Sequence, residues 1–232
     1  MVCLGAIHLK NYENWIKSLG YDREWLVQAT QAEVYKYITI ESAALGMFAI
    51  PLTYDVYLVI LNSAAVHFNR LVKALETKIP IEFNVYLGFG ETYLTALSNL
   101  KPLGELDASV VNGVKEFNDV TVVSHLDLNS YNDMLARKGL QYVNEFLTEL
   151  VYTMKKICMA YGGIAHYAGG DNVICFIPHH LLSNYLSSVT IDGAKIGIGI
   201  AKKPRDALKL AAQALDLIRT GKCDKKMCVL RE

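Results

Sequence analysis

The residues best equipped for chemistry lie in two short stretches of the second half of the chain. In VTVVSHLDLN, a run that alternates as a β-strand does, His125, Asp127 and Asn129 share one face, while Leu126 and Leu128 point to the other. In HYAGGDNVICF, the tetrapeptide Gly169-Gly170-Asp171-Asn172 interrupts two apolar, strand-like runs. Two carboxylates brought together repel and raise each other's pKa unless a cation neutralises them. A divalent ion resolves that conflict, and Mg²⁺ favours one or two carboxylates together with phosphate oxygens and water. Gly169 and Gly170 tolerate positive φ and leave room for backbone to approach a phosphate or a base. A plain glycine-rich turn with a solvated Asp171 is the simpler alternative, because other hairpin sequences would reverse the chain as well.

A basic stretch follows in GIGIAKKPRDALKL. Lys202, Lys203 and Arg205 gather at a strand-to-helix junction, where main-chain N–H groups and the helix dipole favour an anion. Lys209 lies one turn further along. Beside an acid pair of the metal-binding type the cluster suggests a triphosphate. Taken alone, it reads equally as a solvated charge run.

The elements that must position these residues follow from periodicity. A strand is predicted over 3–9, a helix over about 22–44 opened by Asp22 as N-cap, strands near 46–52 and 56–62, a helix near 64–78, a strand at 81–89 and a helix from about 91. The series then restarts from Asn118. VTVVSHLDLN is a strand, and a helix stripe over 133–161 places Leu140, Val143, Leu147, Leu150, Met154 and Cys158 at steps of three and four. GGIAHYA and VICFIP flank the GGDN turn; then come a short helix near 179–187, the strand AKIGIGIA, and a helix whose first turn suits Pro204.

The two series match in letters. IHLKNY lies over SHLDLNSY, setting His8 on His125 and Lys10 on Asp127; LTYDVYLVI lies over AGGDNVICF, setting Asp55 on Asp171; Gly88 falls on Gly199. A tandem duplication with a boundary around 101–118 explains this, and Pro102, Gly104 and Gly113 supply breaks there. The expected fold class is α+β, two tandem ferredoxin-like βαββαβ units spanning 1–104 and 118–232, each a four-stranded sheet with helices on one face. In that topology the first strand and the central hairpin are neighbours, so Asp127 should meet the turn carrying Asp171.

Strand-Asp, glycine-glycine-acid hairpin and βαββαβ core together resemble the palm fold of nucleotidyl and diguanylate (GGDEF) cyclases. A more specific resemblance, along the whole chain, is to the archaeal GTP cyclohydrolase III family, also called GTP cyclohydrolase IIa. It rests on Ile7 to Trp15, LGYDREW at 19–25, the His125-x-Asp127-x-Asn129 pattern, GGDN at 169–172, and Gly197 to Lys202. The resemblance implies a Mg²⁺-dependent hydrolase that opens the imidazole ring of GTP, keeps the formyl group, and yields 2-amino-5-formylamino-6-ribosylamino-4(3H)-pyrimidinone 5′-phosphate and phosphate for riboflavin and deazaflavin synthesis. It further implies metal ligation by Asp127, Asp171 and the Leu128 carbonyl, and nucleotide contacts from Asn129, Gly169, Gly170 and Asn172. Lys202 and Arg205 would bind phosphate, and His125 would act as acid or base; a hydrogen-bonded strand histidine is the alternative for that ring. At the first hairpin this chain has Thr53-Tyr54-Asp55-Val56 where the family reads Arg-Phe-Asp-Asn.

Composition sets the outer limits. The chain has 232 residues, 52% of them apolar and 20% charged, with a formal net charge of zero, so bulk charge indicates neither nucleic acid nor an anionic membrane as partner. No run is long enough for a membrane span, and the N-terminal apolar run is broken by His8 and Lys10, which points to the cytoplasm. The five cysteines form no C-x-x-C pair, and their odd number argues against a disulfide framework. A sheet covered by helices on one side leaves its other face to be buried by its twin repeat or by another subunit, and a homo-oligomer is expected. A palm-type nucleotide cyclase and a non-catalytic GTP-binding homologue are the competing functions.

Overall fold

Apolar residues stand on both sides of the central strands, so each sheet must be covered twice. The computed structural model describes residues 1–105, 119–129, 131–223 and 226–232. In the first half, β1 (Val2–Leu9), β2 (Phe48–Pro51), β3 (Val56–Ile60), β4 (Phe83–Gly90) and β5 (Lys101–Pro102) form a sheet in the order β2-β3-β1-β4-β5. In the second, β6 (Thr121–Leu128), β7 (Ile164–Gly169), β8 (Asn172–Ile177), β9 (Ala194–Ala201) and β10 (Met227–Arg231) take the order β10-β9-β6-β8-β7. In each sheet the first strand lies between the inner hairpin strand and the fourth strand, antiparallel to both, as a ferredoxin-like unit requires. Residues 106–118, which hold most of the anticipated boundary, lie outside the described residues.

Several expectations are adjusted. Each sheet has five strands, because β5 and β10 add edges that their short sequences do not announce; β10 pairs parallel with β9. A seven-residue helix, α1 (Tyr12–Ser18), precedes α2 (Glu24–Ala44), whose N-cap is Arg23 rather than Asp22. The helix α3 (Phe68–Glu76) follows a 3₁₀ turn, and α4 (Tyr93–Ser98) starts from a Thr92 capping box. The long α5 (Tyr131–Ala160) is broken at Gly139, where φ is 80° and ψ is 168°. The helices α6 (Leu182–Ser188) and α7 (Pro204–Arg219) complete the second unit.

Helices lie on both faces of the second sheet. The side chains of Leu126, Leu128, Val173, Cys175, Ile196 and Ile198 form a core with α5 and α6. The opposite face, with Val123, Ile174 and Phe176, meets α7 and the matching face of the first sheet in a shared core that includes Leu4, Leu58, Ile60 and Tyr93. The face left open by α5 and α6 is therefore filled by the twin repeat, one of the two expected ways, together with α7. Close docking of α7 depends on glycine: a Cβ added at Gly199 would sit 1.9 Å from the Ala207 carbonyl oxygen. Gly88 stands in the same relation to α4, with a Cβ 2.2 Å from the Ala96 oxygen. Buried Asn62 ties the halves together, donating to Tyr93 Oη and Thr121 Oγ1, both at 2.8 Å.

The ladders fix how the repeats correspond. Val2 pairs with Gly90 and Leu9 with Phe83, as Thr121 pairs with Ala201 and Leu128 with Ala194. Just beyond, the Lys10 N–H donates to Glu82 O (2.6 Å) as the Asn129 N–H donates to Gly193 O (2.7 Å). This register sets His8, not Lys10, in the place of Asp127, and Lys10 in the place of Asn129. The overlay of IHLKNY on SHLDLNSY is thus two residues out; an even shift preserves the face, so letter similarity did not betray it. The pairings of Asp55 with Asp171 and Gly88 with Gly199 agree with the register.

Candidate active site

The GGDN turn answers to backbone geometry first. Gly169 has φ 95° and Gly170 φ 59°, values an L side chain rarely adopts. Gly169 pairs with Asn172, which leaves Gly170 and Asp171 as a two-residue hairpin turn with glycine at the first central position. The Tyr167 hydroxyl donates to the Gly170 carbonyl at 2.9 Å and pins the tip. A Cβ at Gly169 would meet nothing within 4 Å, so the tip is open to anything that approaches.

Behind the tip runs a short polar chain. Asn172 Nδ2 donates to Asp171 Oδ1 at 2.9 Å, which orients the amide, since a carboxylate can only accept. Asn172 Oδ1 then faces His125 Nε2 at 2.8 Å, so that nitrogen carries the proton and donates. His125 Nδ1 is left bare and buried without a partner. Burial holds the His125 pKa below its ordinary value, against the hydrogen bond to Asn172 and the charges of Asp127 and Asp171. The ring is therefore neutral near pH 7, and its proton-bearing nitrogen is committed to orienting Asn172.

Asp127 lies directly across one ladder from Asn172 and across the other from Lys195, so all three share a face. Its side chain is only 8% exposed, and its Oδ1 accepts from Arg219 Nη2 at 2.7 Å. Arg219, on the last turn of α7, also donates from Nη1 to Asp216 Oδ1 at 3.0 Å. Leu128 turns its side chain to the opposite core, and Asn129 is exposed just past the strand.

The carboxylate oxygens of Asp127 and Asp171 are the kind of donor a hard divalent cation takes, while both polar atoms of the Asn172 amide are already engaged, Nδ2 with Asp171 and Oδ1 with His125. Among the described residues no three His, Cys, Asp or Glu side chains converge as a metal cluster, so any such ion would lean on main-chain or ligand oxygens. A nearly buried carboxylate demands a counter-charge, and here a guanidinium supplies it. The equivalent positions in the first repeat, His8 and Asp55, bring Nε2 and Oδ2 to 3.6 Å. That pair lines a cavity of about 540 Å³ with Lys10, Tyr12, Glu13 and Asn84.

The basic cluster does not join this site. Lys195 faces Asp127 while Ala201 faces Thr121, so Lys202 lies seven residues along β9 from Lys195, roughly 20 Å away at the other end of the sheet. The Lys202 carbonyl accepts from Ser63 Oγ at 2.7 Å. Arg205 caps the C-terminus of α2, its guanidinium donating to Ala43 O at 2.9 Å and its N–H to Gly46 O at 3.1 Å. Assigning phosphate to Lys202 and Arg205 beside the acid pair is thus corrected: these residues join the repeats. Lys195 and Arg219 are the cations that the described residues bring to Asp127, one by strand register and one by hydrogen bond. Lys195 was legible in principle once strand register was known; Arg219 required the docking of α7.

Two ferredoxin-like units sharing one core, the second with Asp127 and a glycine hairpin at one sheet end, define an α+β protein of the palm-like class. The sequence model of GTP cyclohydrolase III matches residues 2–232, and the chain belongs to that family. A GTP cyclohydrolase III of Saccharolobus solfataricus is 29% identical over 220 residues, covering 94% of each chain. One of Sulfurisphaera tokodaii is 29% identical over 216 residues, covering 92% of each. Among solved structures, the GGDEF domain of DgcB from Caulobacter crescentus, in complex with c-di-GMP, aligns at a TM-score of 0.42 and 15% identity. It covers 61% of this chain and 94% of that one.

Proposed function

We propose that the protein is a Mg²⁺-dependent GTP cyclohydrolase that opens the guanine imidazole ring and releases phosphate. Family membership across residues 2–232 is the observation that carries the activity; the meeting of Asp127 with the 169–172 turn supports its location. Water adds at C8 of the base, the C8–N9 bond breaks, N9 takes a proton as the ribosylamine, and C8 stays on N7 as the formyl group. The two outer phosphates leave by hydrolysis, giving 2-amino-5-formylamino-6-ribosylamino-4(3H)-pyrimidinone 5′-phosphate, a precursor suited to riboflavin and deazaflavin synthesis.

Asp127 and Asp171, with the Leu128 carbonyl, would hold Mg²⁺, which neutralises triphosphate charge and polarises its oxygens. Lys195, opposite Asp127 on the same face, adds positive charge where a triphosphate would lie. Gly169 and Gly170 leave the hairpin open to the nucleotide, with Asn129 and Asn172 at its edges. His125 serves by holding the Asn172 amide toward Asp171. This positioning role replaces the acid–base role, because Nε2 is engaged and Nδ1 is buried.

No helix among the described residues is long and apolar enough to cross a membrane. The sheet face that suggested self-association is filled within the chain. A homo-oligomer would instead use outer surfaces such as the exposed Leu140, Tyr142, Tyr152 and Met159 of α5.

The test is incubation with GTP and Mg²⁺, followed by mass spectrometry and phosphate analysis. A formylated pyrimidine ribotide with orthophosphate is expected. A cyclic nucleotide with pyrophosphate would make the protein a cyclase, and heat of GTP binding with an unchanged guanine absorbance band would make it a binding homologue.

A further inference from the structure

We propose that Arg219 is an exchangeable counter-ion, which neutralises Asp127 while the protein carries no divalent cation and yields that carboxylate oxygen when one binds. This rests on the reading of Asp127 as a metal ligand. The Asp127 carboxylate is nearly out of solvent, and Arg219 Nη2 at 2.7 Å is the cation bonded to it. A guanidinium and a divalent ion on one carboxylate repel each other strongly where water is scarce, so binding the second requires the first to leave.

Arg219 is built to leave. Its side chain is 46% exposed, it ends a helix rather than sitting within one, and Asp216, 69% exposed, holds its other nitrogen at 3.0 Å. On release the guanidinium keeps that second carboxylate and moves into water, while Asp127 exchanges one cation for another. Metal affinity then includes the work of breaking the Arg219–Asp127 pair. The arrangement favours a metal that arrives with its nucleotide over a metal alone, since phosphate oxygens add the binding energy that a bare ion lacks.

The experiment is titration of nucleotide-free protein with Mn²⁺, followed by the free-ion signal in electron paramagnetic resonance. Wild type is compared with Arg219→Gln, Arg219→Lys and Asp127→Asn. Arg219→Gln should bind Mn²⁺ about tenfold more tightly than wild type, and its melting temperature, lower without metal, should rise more when metal is added. Arg219→Lys keeps the charge but loses the fork that spans Asp127 and Asp216; it should fall between, and it carries the test if the glutamine variant does not fold. Equal or weaker Mn²⁺ binding in the arginine variants, with binding abolished in Asp127→Asn, overturns the counter-ion role alone. Wild-type affinity in Asp127→Asn overturns the metal assignment itself.

Discussion

His8 Nε2 and Asp55 Oδ2 lie 3.6 Å apart, at the strand position and the turn position that Asp127 and Asp171 occupy in the second repeat. The first repeat holds a base and an acid there, which attract; the second holds two acids, which do not. In the second repeat each acid has turned to its own partner, Asp127 to Arg219 and Asp171 to Asn172. The same two positions thus hold a base–acid contact in one repeat and two separately partnered carboxylates in the other.

That contrast predicts unequal mutants. Asp171→Asn should reduce formation of the formylated product by about a hundredfold or more, as the metal role proposed for Asp171 requires. Asp55→Asn removes only a partly exposed contact to His8 and a 2.7 Å hydrogen bond from Thr53 Oγ1, so turnover should stay within about threefold of wild type. Steady-state rates at saturating Mg²⁺ check both. Equal losses would mean that the two repeats contribute alike to the chemistry.

Asn172 joins the hairpin to the strand beneath it. Asn172→Ala leaves His125 with both ring nitrogens unpartnered and Asp171 without its amide donor. A buried donor stripped of its acceptor costs about 1–3 kcal/mol, and urea unfolding should show a loss of that size. His125→Gln, which can still donate to Asn172, should recover most of the stability and of the turnover; an acid–base role for His125 would instead leave the glutamine variant folded but inactive.

Much of the fold was readable because the patterns are local. Alternation in VTVVSHLDLN and VICFIP, the stripe from Val143 to Cys158, and Pro204 at a helix start each fix an element without reference to the rest of the chain. That Asp127 lies across from Asn172 at the base of the hairpin followed from topology, since βαββαβ sets the first strand beside the hairpin. What the sequence did not yield depends on long-range geometry. Lys202 and Arg205 look like a phosphate site by composition, yet antiparallel pairing carries them to the far end of β9. Arg219 meets Asp127 across 92 residues, only because Gly197 and Gly199 let α7 lie close on the sheet. A two-residue slip in matching His8 survived because His-Leu occurs in both repeats.

The relocation of the basic cluster has its own consequence. Lys202→Ala should leave the KM for GTP unchanged within about twofold, because the side chain stands far from Asp127. Arg205→Ala removes a cation and a donor from the C-terminus of α2, where each is worth about 0.5–1.5 kcal/mol, so it should lower the melting temperature without altering KM. A tenfold rise in KM for either variant would return these residues to the nucleotide site.

His166 gives the pH dependence of the fold. On β7 its ring packs edge-on against Phe48, with centroids 6.2 Å apart, at the junction of the two repeats. Burial, reinforced by the charge of Lys155, lowers its pKa from 6.5 to about 4. The folded state thus resists a proton that the unfolded chain accepts. Stability from this source is complete above pH 6.5, declines as pH falls from 6.5 to 4, and changes no further below. His125, also shifted down by burial, acts in the same direction. Carboxylates titrate over part of the same range, so the informative quantity is the difference between wild type and His166→Gln. Melting curves from pH 7 to pH 4.5 should fall more steeply for wild type, by roughly 2–4 °C for each kcal/mol lost in a domain of this size. Parallel curves would mean that the ring is hydrated in solution and that the contact with Phe48 does not exclude water.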